Sequence, residues 1–301
     1  MYADLQVNGY VGVDFNDPTT SVEEVVKAAV AMREHGVVCA LPTVITAGVD
    51  AMCQCIGTIV AAIEQDEVSA SVFRGIHIEG PFLSPVEGFI GAHPVEHALA
   101  VDMRVMEKLW TVAGERTRIV TLAPEVDRDG TLTKFCTDRG ALVAAGHTDA
   151  GLTDFQRCIE FGLKLFTHLG NGCPRLMDRH DNIIYRALSL REHLHFSLIA
   201  DSFHVPQLLF RHVLDLVPLE KLLVVSDAIS AAGLGPGEYQ LGSRSVKIGE
   251  DKACRDASGE HFVGAASTMA DANRWLANSL GLTEKERCTL LYENPVSLIR
   301  A

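Results

Sequence analysis

The sequence predicts an α/β fold in which eight parallel strands alternate with helices and close into a (β/α)₈ TIM-type barrel. Short apolar runs alternate with segments of helical periodicity, and most apolar runs end in a polar or glycine-rich cluster. The length of 301 residues also suits a barrel, which typically needs about 250 residues.

Eight apolar runs are the expected strands. Several are continuous stretches of Val, Ile, Leu and Ala, as expected for strands buried on both faces. They span residues 3–7, 37–41, 72–78, 119–122, 141–145, 163–166, 195–200 and 222–225. A doubly wound open sheet would show the same alternation. The number of runs and the polar residues at their ends favour the barrel.

Helical patterns lie between these runs. The first has the clearest limits, because Ser21 and Glu24 form a capping box and Gly36 is expected to end it. The others span residues 50–65, 94–113, 132–139, 152–161, 183–190 and 206–216.

After the eighth run the regular alternation stops. Residues 238–264 indicate a small β excursion, and the stretch 268–299 contains two helical patterns, 268–279 and 283–298. No repeat or low-complexity linker interrupts residues 1–301, so they are predicted to form a single barrel domain.

The composition limits the possible partners. Lys plus Arg is 26 and Asp plus Glu is 39, which gives a net charge of −13 and argues against nucleic acid or an anionic membrane as partner. No apolar segment is long enough to span a membrane. The 8 cysteines form no CxxC pair, which is typical of reduced thiols in a cytoplasmic protein.

Three potential metal ligands follow different strands. Glu79, His147 and His168 end the third, fifth and sixth runs, and parallel strands bring their carboxyl ends to one rim of a barrel. An isolated histidine is more often a structural residue, but three such groups on one rim favour a metal site. Carboxylate and imidazole suit Zn²⁺ or Fe²⁺, and three protein ligands leave a coordination position open for catalysis.

A fourth titratable residue, Asp227, follows the eighth run. Beside a metal site, its carboxylate can take a proton from water and deliver it to a leaving nitrogen. The alternative interpretation is that Asp227 caps a following helix.

Six motifs occur in an order that resembles the N-acetylglucosamine-6-phosphate deacetylase family of the amidohydrolase superfamily. Asp4-Leu-Gln-Val-Asn-Gly9 and Asn294-Pro295 fit the same family, so the resemblance covers nearly the whole chain. The six motifs are His77-Ile-Glu-Gly-Pro-Phe82, Gly91-Ala-His93-Pro94, Gly146-His-Thr-Asp-Ala150, Thr167-His-Leu-Gly-Asn171, Phe203-His204-Val205 and Ser226-Asp-Ala228.

The resemblance implies deacetylation of N-acetylglucosamine 6-phosphate and a role for each matching residue. Asp227 would be the catalytic acid/base, and the metal or His204 would stabilise the oxyanion. The implied metal ligands are Glu79, His147 and His168. The implied substrate contacts are His93, Asn171, Gly172, Arg179 on the phosphate, and His204. His77 would support the ligand carboxylate from outside the metal's coordination sphere.

The first strand bears on the number of metals. Many amidohydrolases have His-x-His there, whereas this chain has Gln6 and Asn8, and amides are poor Zn²⁺ ligands. We therefore expect one divalent metal per subunit, zinc rather than iron, with Gln6 and Asn8 just outside its ligands. By the same resemblance we expect a homodimer.

The chain also departs from the family pattern. We expect the chain to lack the small β-sandwich that family members usually build from residues before the first strand and after the last barrel helix. Gly170 and Gly172 stand where an aromatic residue and Ala are more usual, and Arg179 is followed by His180-Asp181-Asn182 rather than Glu-Pro-Gly. These changes lie beside the expected sugar and phosphate contacts.

Three alternative functions therefore stay open. An amidohydrolase could act on another N-acyl amino sugar or a cyclic amide. A glycosidase could pair Glu79 with Asp227, but it would not need the two histidines. A non-catalytic barrel could bind sugar or metal without turnover.

Overall fold

A computed structural model describes residues 1–241, 244–250, 252–256 and 262–300. Eight strands form one sheet, and each pairs in parallel with the next along the chain. They are β1 Tyr2–Val7, β2 Val37–Ile45, β3 Ile76–Glu79, β4 Thr117–Leu122, β5 Leu142–Ala145, β6 Leu163–Phe166, β7 His195–Ile199 and β8 Leu222–Val225.

The sheet closes on itself between β8 and β1. The Asp227 amide donates to the Gln6 carbonyl at 2.9 Å, and Val7 bridges Ala228 in parallel. The buried Asp4 carboxylate accepts from the Ser226 amide at 3.0 Å and from the Ser226 hydroxyl at 2.5 Å. The predicted (β/α)₈ barrel is confirmed.

Two apolar clusters hold the barrel. The larger one lies between strands and helices, where both elements bury an apolar face. The second fills the barrel interior with side chains from seven strands, and Leu298 and Ile299 at the end of the last helix pack against it. Its buried members are Leu5, Leu41, Ile119, Ala144, Leu165, Ile199, Leu223 and Val225.

The helices alternate with the strands as predicted, and the capping box of the first is confirmed, since Glu24 N donates to Ser21 Oγ at 3.3 Å. None of the helices in the described ranges has the length and apolar character that crossing a bilayer requires. The α-helices are α1 Val22–Glu34, α2 Val49–Gln65, α3 Glu67–Val72, α4 Met103–Ala113, α5 Thr131–Thr137, α6 Leu152–Glu160, α7 Ile183–Ser189, α8 Gln207–Leu216, α9 Met269–Asn278, α10 Glu284–Cys288 and α11 Asn294–Leu298.

Three sequence-based boundaries were wrong. Residues 67–72 form α3, capped by Asp66, so β3 begins four residues later than predicted, at Ile76. Strand β2 continues past Pro42 because residues 43–45 pair with β3. The helix predicted over 94–113 begins only at Met103, where Asp102 caps its first turn, after a 3₁₀ turn at Val95–His97.

The β excursion after β8 is a four-stranded antiparallel sheet. Its strands are β9 Gly237–Leu241, β10 Arg244–Ile248, β11 Ala253–Asp256 and β12 Phe262–Ala265. Parts of the predicted excursion, namely 242–243, 251 and 257–261, lie outside the described residues.

Candidate metal centre

Four polar side chains converge at the carboxyl ends of the strands, which we call the rim. Glu79 is the last residue of β3, and His147, His168 and Asp227 each stand two residues beyond β5, β6 and β8. The last three have positive φ angles of 49°, 31° and 49°. Such a backbone costs about 1–3 kcal/mol per residue and occurs preferentially at functional sites.

Neighbouring elements hold this backbone in place. Ser84 N donates to the His147 carbonyl at 3.0 Å, and the Ser197 hydroxyl on β7 accepts from His168 N at 2.7 Å. The barrel closure fixes Asp227 through Gln6. Each strained residue is thus held by a strand or loop distant in sequence.

Glu79, His147 and His168 are buried and form one cluster. One ligand atom from each lies within 4.8 Å of the others. Glu79 Oε1 is 3.0 Å from His168 Nε2 and 3.4 Å from His147 Nε2. Burial alone would raise the pKa of Glu79, but the neighbouring imidazoles of His147 and His168 hold that pKa well below its usual value.

The orientation of His147 fits a cation. Its Nδ1 lies 3.0 Å from the Phe89 carbonyl, which can only accept, so Nδ1 donates and the neutral ring has its lone pair on Nε2. That lone pair faces the anionic Glu79, and two acceptors 3.4 Å apart need a positive charge between them. One carboxylate and two imidazoles therefore fit a divalent metal.

Gln6 supports the cluster from outside. Its Nε2 donates to Glu79 Oε1 at 3.0 Å, and its Oε1 accepts from Thr167 Oγ1 at 2.6 Å. The structure places His77 differently from expectation, because its ring nitrogens contact the Leu5 carbonyl at 3.2 Å and Thr121 Oγ1 at 2.7 Å. The hydrogen bond that supports Glu79 from outside the ligand cluster comes from Gln6, and His77 bonds to Leu5 and Thr121 instead.

Asp227 lies on the same rim as Glu79. Asn8 Nδ2 donates to its Oδ1 at 2.8 Å, and Asn171 Nδ2 lies 3.5 Å from its Oδ2. Burial, and secondarily the charge of Glu79, raises the pKa of Asp227 above its usual value, as suits a group that gains and loses a proton. The alternative of a helix cap is wrong, since no helix follows Asp227 directly in the described part of the chain.

His93 and His204 are the two other rim histidines. His93 Nδ1 accepts from Thr46 N at 3.3 Å, so Nε2 has the proton and points at His147 Nε2, 3.2 Å away. Burial lowers the pKa of His93 to about 3, which keeps its ring neutral. His204 Nδ1 lies 2.6 Å from Asp201 Oδ2.

Gly172 and Arg179 occupy different surroundings. A Cβ on Gly172, whose φ is +59°, would lie 2.8 Å from His147 Nδ1, so this glycine lets the loop pack on the ligand ring. Arg179 is exposed. No contact among the described residues joins it to the Glu79 cluster.

Sequence reasoning gave no role to two rim carboxylates. Asp201 follows β7 and holds His204, and Glu125 follows β4 and accepts from Thr148 Oγ1 and from Asp149 N at 2.9 Å. Both lie in the polar clusters that follow strands, and this position could have identified them as rim residues. Their hydrogen-bond partners depend on the conformation of the turns and could not be predicted from the sequence.

No family model matches the chain, but known protein sequences and solved structures do. It is 32% identical over 255 residues to human N-acetylglucosamine-6-phosphate deacetylase, covering 82% of this chain and 61% of that protein. It is 30% identical over 302 residues to N-acetylgalactosamine-6-phosphate deacetylase of Shewanella sp. (strain ANA-3), covering 99% of this chain and 73% of that protein.

A solved structure agrees. N-acetylglucosamine-6-phosphate deacetylase from Pasteurella multocida superposes with a TM-score of 0.85 at 27% identity, covering 99% of this chain and 76% of that one. The chain thus spans about 61% of the length of the mammalian relative and about three quarters of the two bacterial ones. As its motifs predicted, this chain belongs to the N-acetylglucosamine-6-phosphate deacetylase family.

Proposed function

We propose that this protein hydrolyses the acetamide of N-acetylglucosamine 6-phosphate to acetate and glucosamine 6-phosphate, a step of amino-sugar metabolism. The observation that carries the proposal is the convergence of Glu79, His147 and His168 within 4.8 Å of one another, on the rim that also holds the half-buried Asp227. A glycosidase would not need this histidine pair. The names of the relatives supply the substrate class.

Glu79, His147 and His168 would hold one divalent ion, and we propose zinc. The bound ion lowers the pKa of water and polarises a carbonyl. A second ion is not expected, because the amides of Gln6 and Asn8 already hydrogen-bond Glu79 and Asp227.

Asp227 is proposed as the acid/base. Held by Asn8 through Oδ1, it takes a proton from the attacking water with Oδ2 and passes that proton to the leaving nitrogen. Its raised pKa serves the second transfer. His93 is proposed to donate its Nε2 proton to the amide carbonyl oxygen, because its Nδ1 is engaged by Thr46.

The remaining contacts orient the sugar phosphate. Asn171 and Gly172 are proposed to lie along the sugar, since their loop packs on both Asp227 and His147. His204 is proposed to meet an anionic oxygen of the substrate, and Arg179 to bind the phosphate through a charge-assisted fork. Exposure of Arg179 is compatible with contact to a ligand that arrives from solvent.

The 4-epimeric substrate is the second candidate. The relative that matches 99% of the chain acts, by its name, on N-acetylgalactosamine 6-phosphate. The ligand cluster would serve either sugar equally. Discrimination would lie in the loop between His168 and α7.

The decisive experiment measures acetate release from N-acetylglucosamine 6-phosphate, its galactosamine epimer and unphosphorylated N-acetylglucosamine, with and without a chelator. We expect chelator-sensitive release from a phosphorylated sugar only. In Glu79→Gln we expect loss of bound metal by elemental analysis together with loss of turnover. Full metal occupancy without turnover on any of these amides would favour a non-catalytic binder.

We also propose a cytoplasmic homodimer. The cysteines are unpaired, as is typical of a reducing compartment, and most of them are buried. Light scattering tests the dimer, with a monomeric mass as the contrary result.

A further inference from the structure

We propose that Asp201 is a positioning residue that acts on the substrate through His204, fixing the ring so that Nε2 is the atom offered to a negatively charged substrate oxygen. The inference rests on the proposed function and adds a residue to it. Asp201 itself touches no reacting group. Its effect is therefore expected to vanish when His204 is absent.

The carboxylate of Asp201 is fully engaged within one turn. Its Oδ1 accepts from the amides of Phe203 and His204, both at 2.9 Å, and its Oδ2 lies 2.6 Å from His204 Nδ1. The Asp201 side chain is 4% exposed and that of His204 is 17% exposed. The turn thus buries the carboxylate and leaves part of the ring accessible.

This geometry decides how His204 is protonated. An ionised carboxylate only accepts, so Nδ1 must donate, and Nε2 is the ring atom left for another partner. The same turn contains Ser202 at a φ of 71°, a conformation that needs outside support. The two hydrogen bonds that the Phe203 and His204 amides donate to Oδ1 supply that support. One carboxylate therefore fixes both the backbone of the turn and the His204 ring.

The charge of Asp201 also favours a protonated His204 ring. Burial lowers the pKa of His204, but the hydrogen bond and charge of Asp201 outweigh burial and raise that pKa above its usual value. Among the described residues, the charge of Asp227 also raises this pKa, and that of His168 lowers it. A cationic ring with a free Nε2–H suits a phosphate or a developing oxyanion.

Asp201→Asn separates the support of the turn backbone from the effect on the His204 ring. The amide oxygen keeps accepting from the two backbone amides, whereas the amide nitrogen donates to Nδ1 and leaves His204 neutral. We expect kcat/KM to fall about 10- to 100-fold. We also expect the basic limb of its pH profile to move to lower pH.

A double-mutant cycle tests whether Asp201 works through His204. In the His204→Asn background, Asp201→Asn should cause no further loss of kcat/KM. If the two losses multiply, Asp201 has a separate structural role and the proposal is overturned.

A second readout does not depend on turnover. NMR titration of the His204 ring should give a lower pKa in Asp201→Asn than in the wild type, and an unchanged value overturns the proposal. Asp127→Asn is the control, because Asp127 is equally a buried carboxylate that accepts from backbone amides, at 3.2 and 2.8 Å. It should leave the His204 titration unchanged. Absence of acetate release in the wild type would refute the proposed function while this titration still decides the role of Asp201.

Discussion

The ligand cluster at the rim and the barrel interior are both buried but are built in opposite ways. Glu79 and His168 are 2% and 1% exposed, and Leu41 and Leu165 inside the barrel are 0% and 2% exposed. The interior is apolar and lies on regular strands. The rim is polar and has positive φ angles at His147, His168 and Asp227.

The difference shows what each region contributes. Apolar interior side chains stabilise the barrel by about 1.5–3 kcal/mol each when buried. At the rim, His168 Nδ1 and Asn8 Oδ1 are buried without a hydrogen-bond partner among the described residues. Buried polar groups without partners and strained backbone cost stability, so selection for folding alone does not explain them. The rim is arranged for chemistry at the expense of stability.

The largest expected effect is at Asp227. Asp227→Asn should lower kcat about 100- to 10,000-fold, because the Asn amide cannot accept a proton from water and pass it to the leaving nitrogen. Metal content should be unchanged by elemental analysis. The metal-free variant should unfold at a urea concentration no lower than that of the wild type, since a partly desolvated charge is removed. Retained activity would remove Asp227 from its proposed role.

The converse substitution is in the interior. Leu41→Ala should lower the free energy of unfolding by about 2–5 kcal/mol through the cavity it leaves. Its kcat at low temperature should equal that of the wild type. Leu208→Ala is the control, because Leu208 is 68% exposed and should change stability by less than about 0.5 kcal/mol. A comparable loss of kcat in Leu41→Ala would show that the two regions are not separable.

A smaller effect is expected at Gly172. Gly172→Ala should weaken metal binding about 10-fold or more, measured by chelator competition, because its Cβ would press on His147. Gly114→Ala is a matched control: Gly114 has the same φ of +59° with nothing within 4 Å of a Cβ. Equal metal affinity in the two variants would show that position 172 needs glycine only for its positive φ, and not for the contact with His147.

The smallest effect concerns Asp4, which bonds to Ser226 where β1 and β8 close the barrel. Burial raises the pKa of Asp4 from 3.8 to about 7. The folded protein therefore favours the protonated form of Asp4. This contribution to the free energy of unfolding is fully present below pH 3.8 and is lost as the pH rises through about 7. Asp4→Asn removes the titration. In metal-free protein, its unfolding free energy relative to wild type should increase by about 1.4 kcal/mol between pH 6 and pH 8. A difference that does not change with pH would contradict this.

Much of the fold followed from local patterns. Apolar runs placed all eight strands, and polar strand ends placed Glu79, His147, His168 and Asp227 on one rim. This succeeded because parallel pairing brings the carboxyl ends of strands together whatever the details of their connections. The capping box at Ser21 is equally local, since its two partners are three residues apart.

Only the tertiary structure decided the rest, because the deciding contacts join residues far apart in sequence. The extension of β2 depends on pairing across the sheet. The tautomer of His147 depends on the Phe89 carbonyl, and the closure of the barrel joins Asp4 to Ser226. Sequence alone determined which side chains could perform the chemistry; the fold decided which atom of each one faces the site.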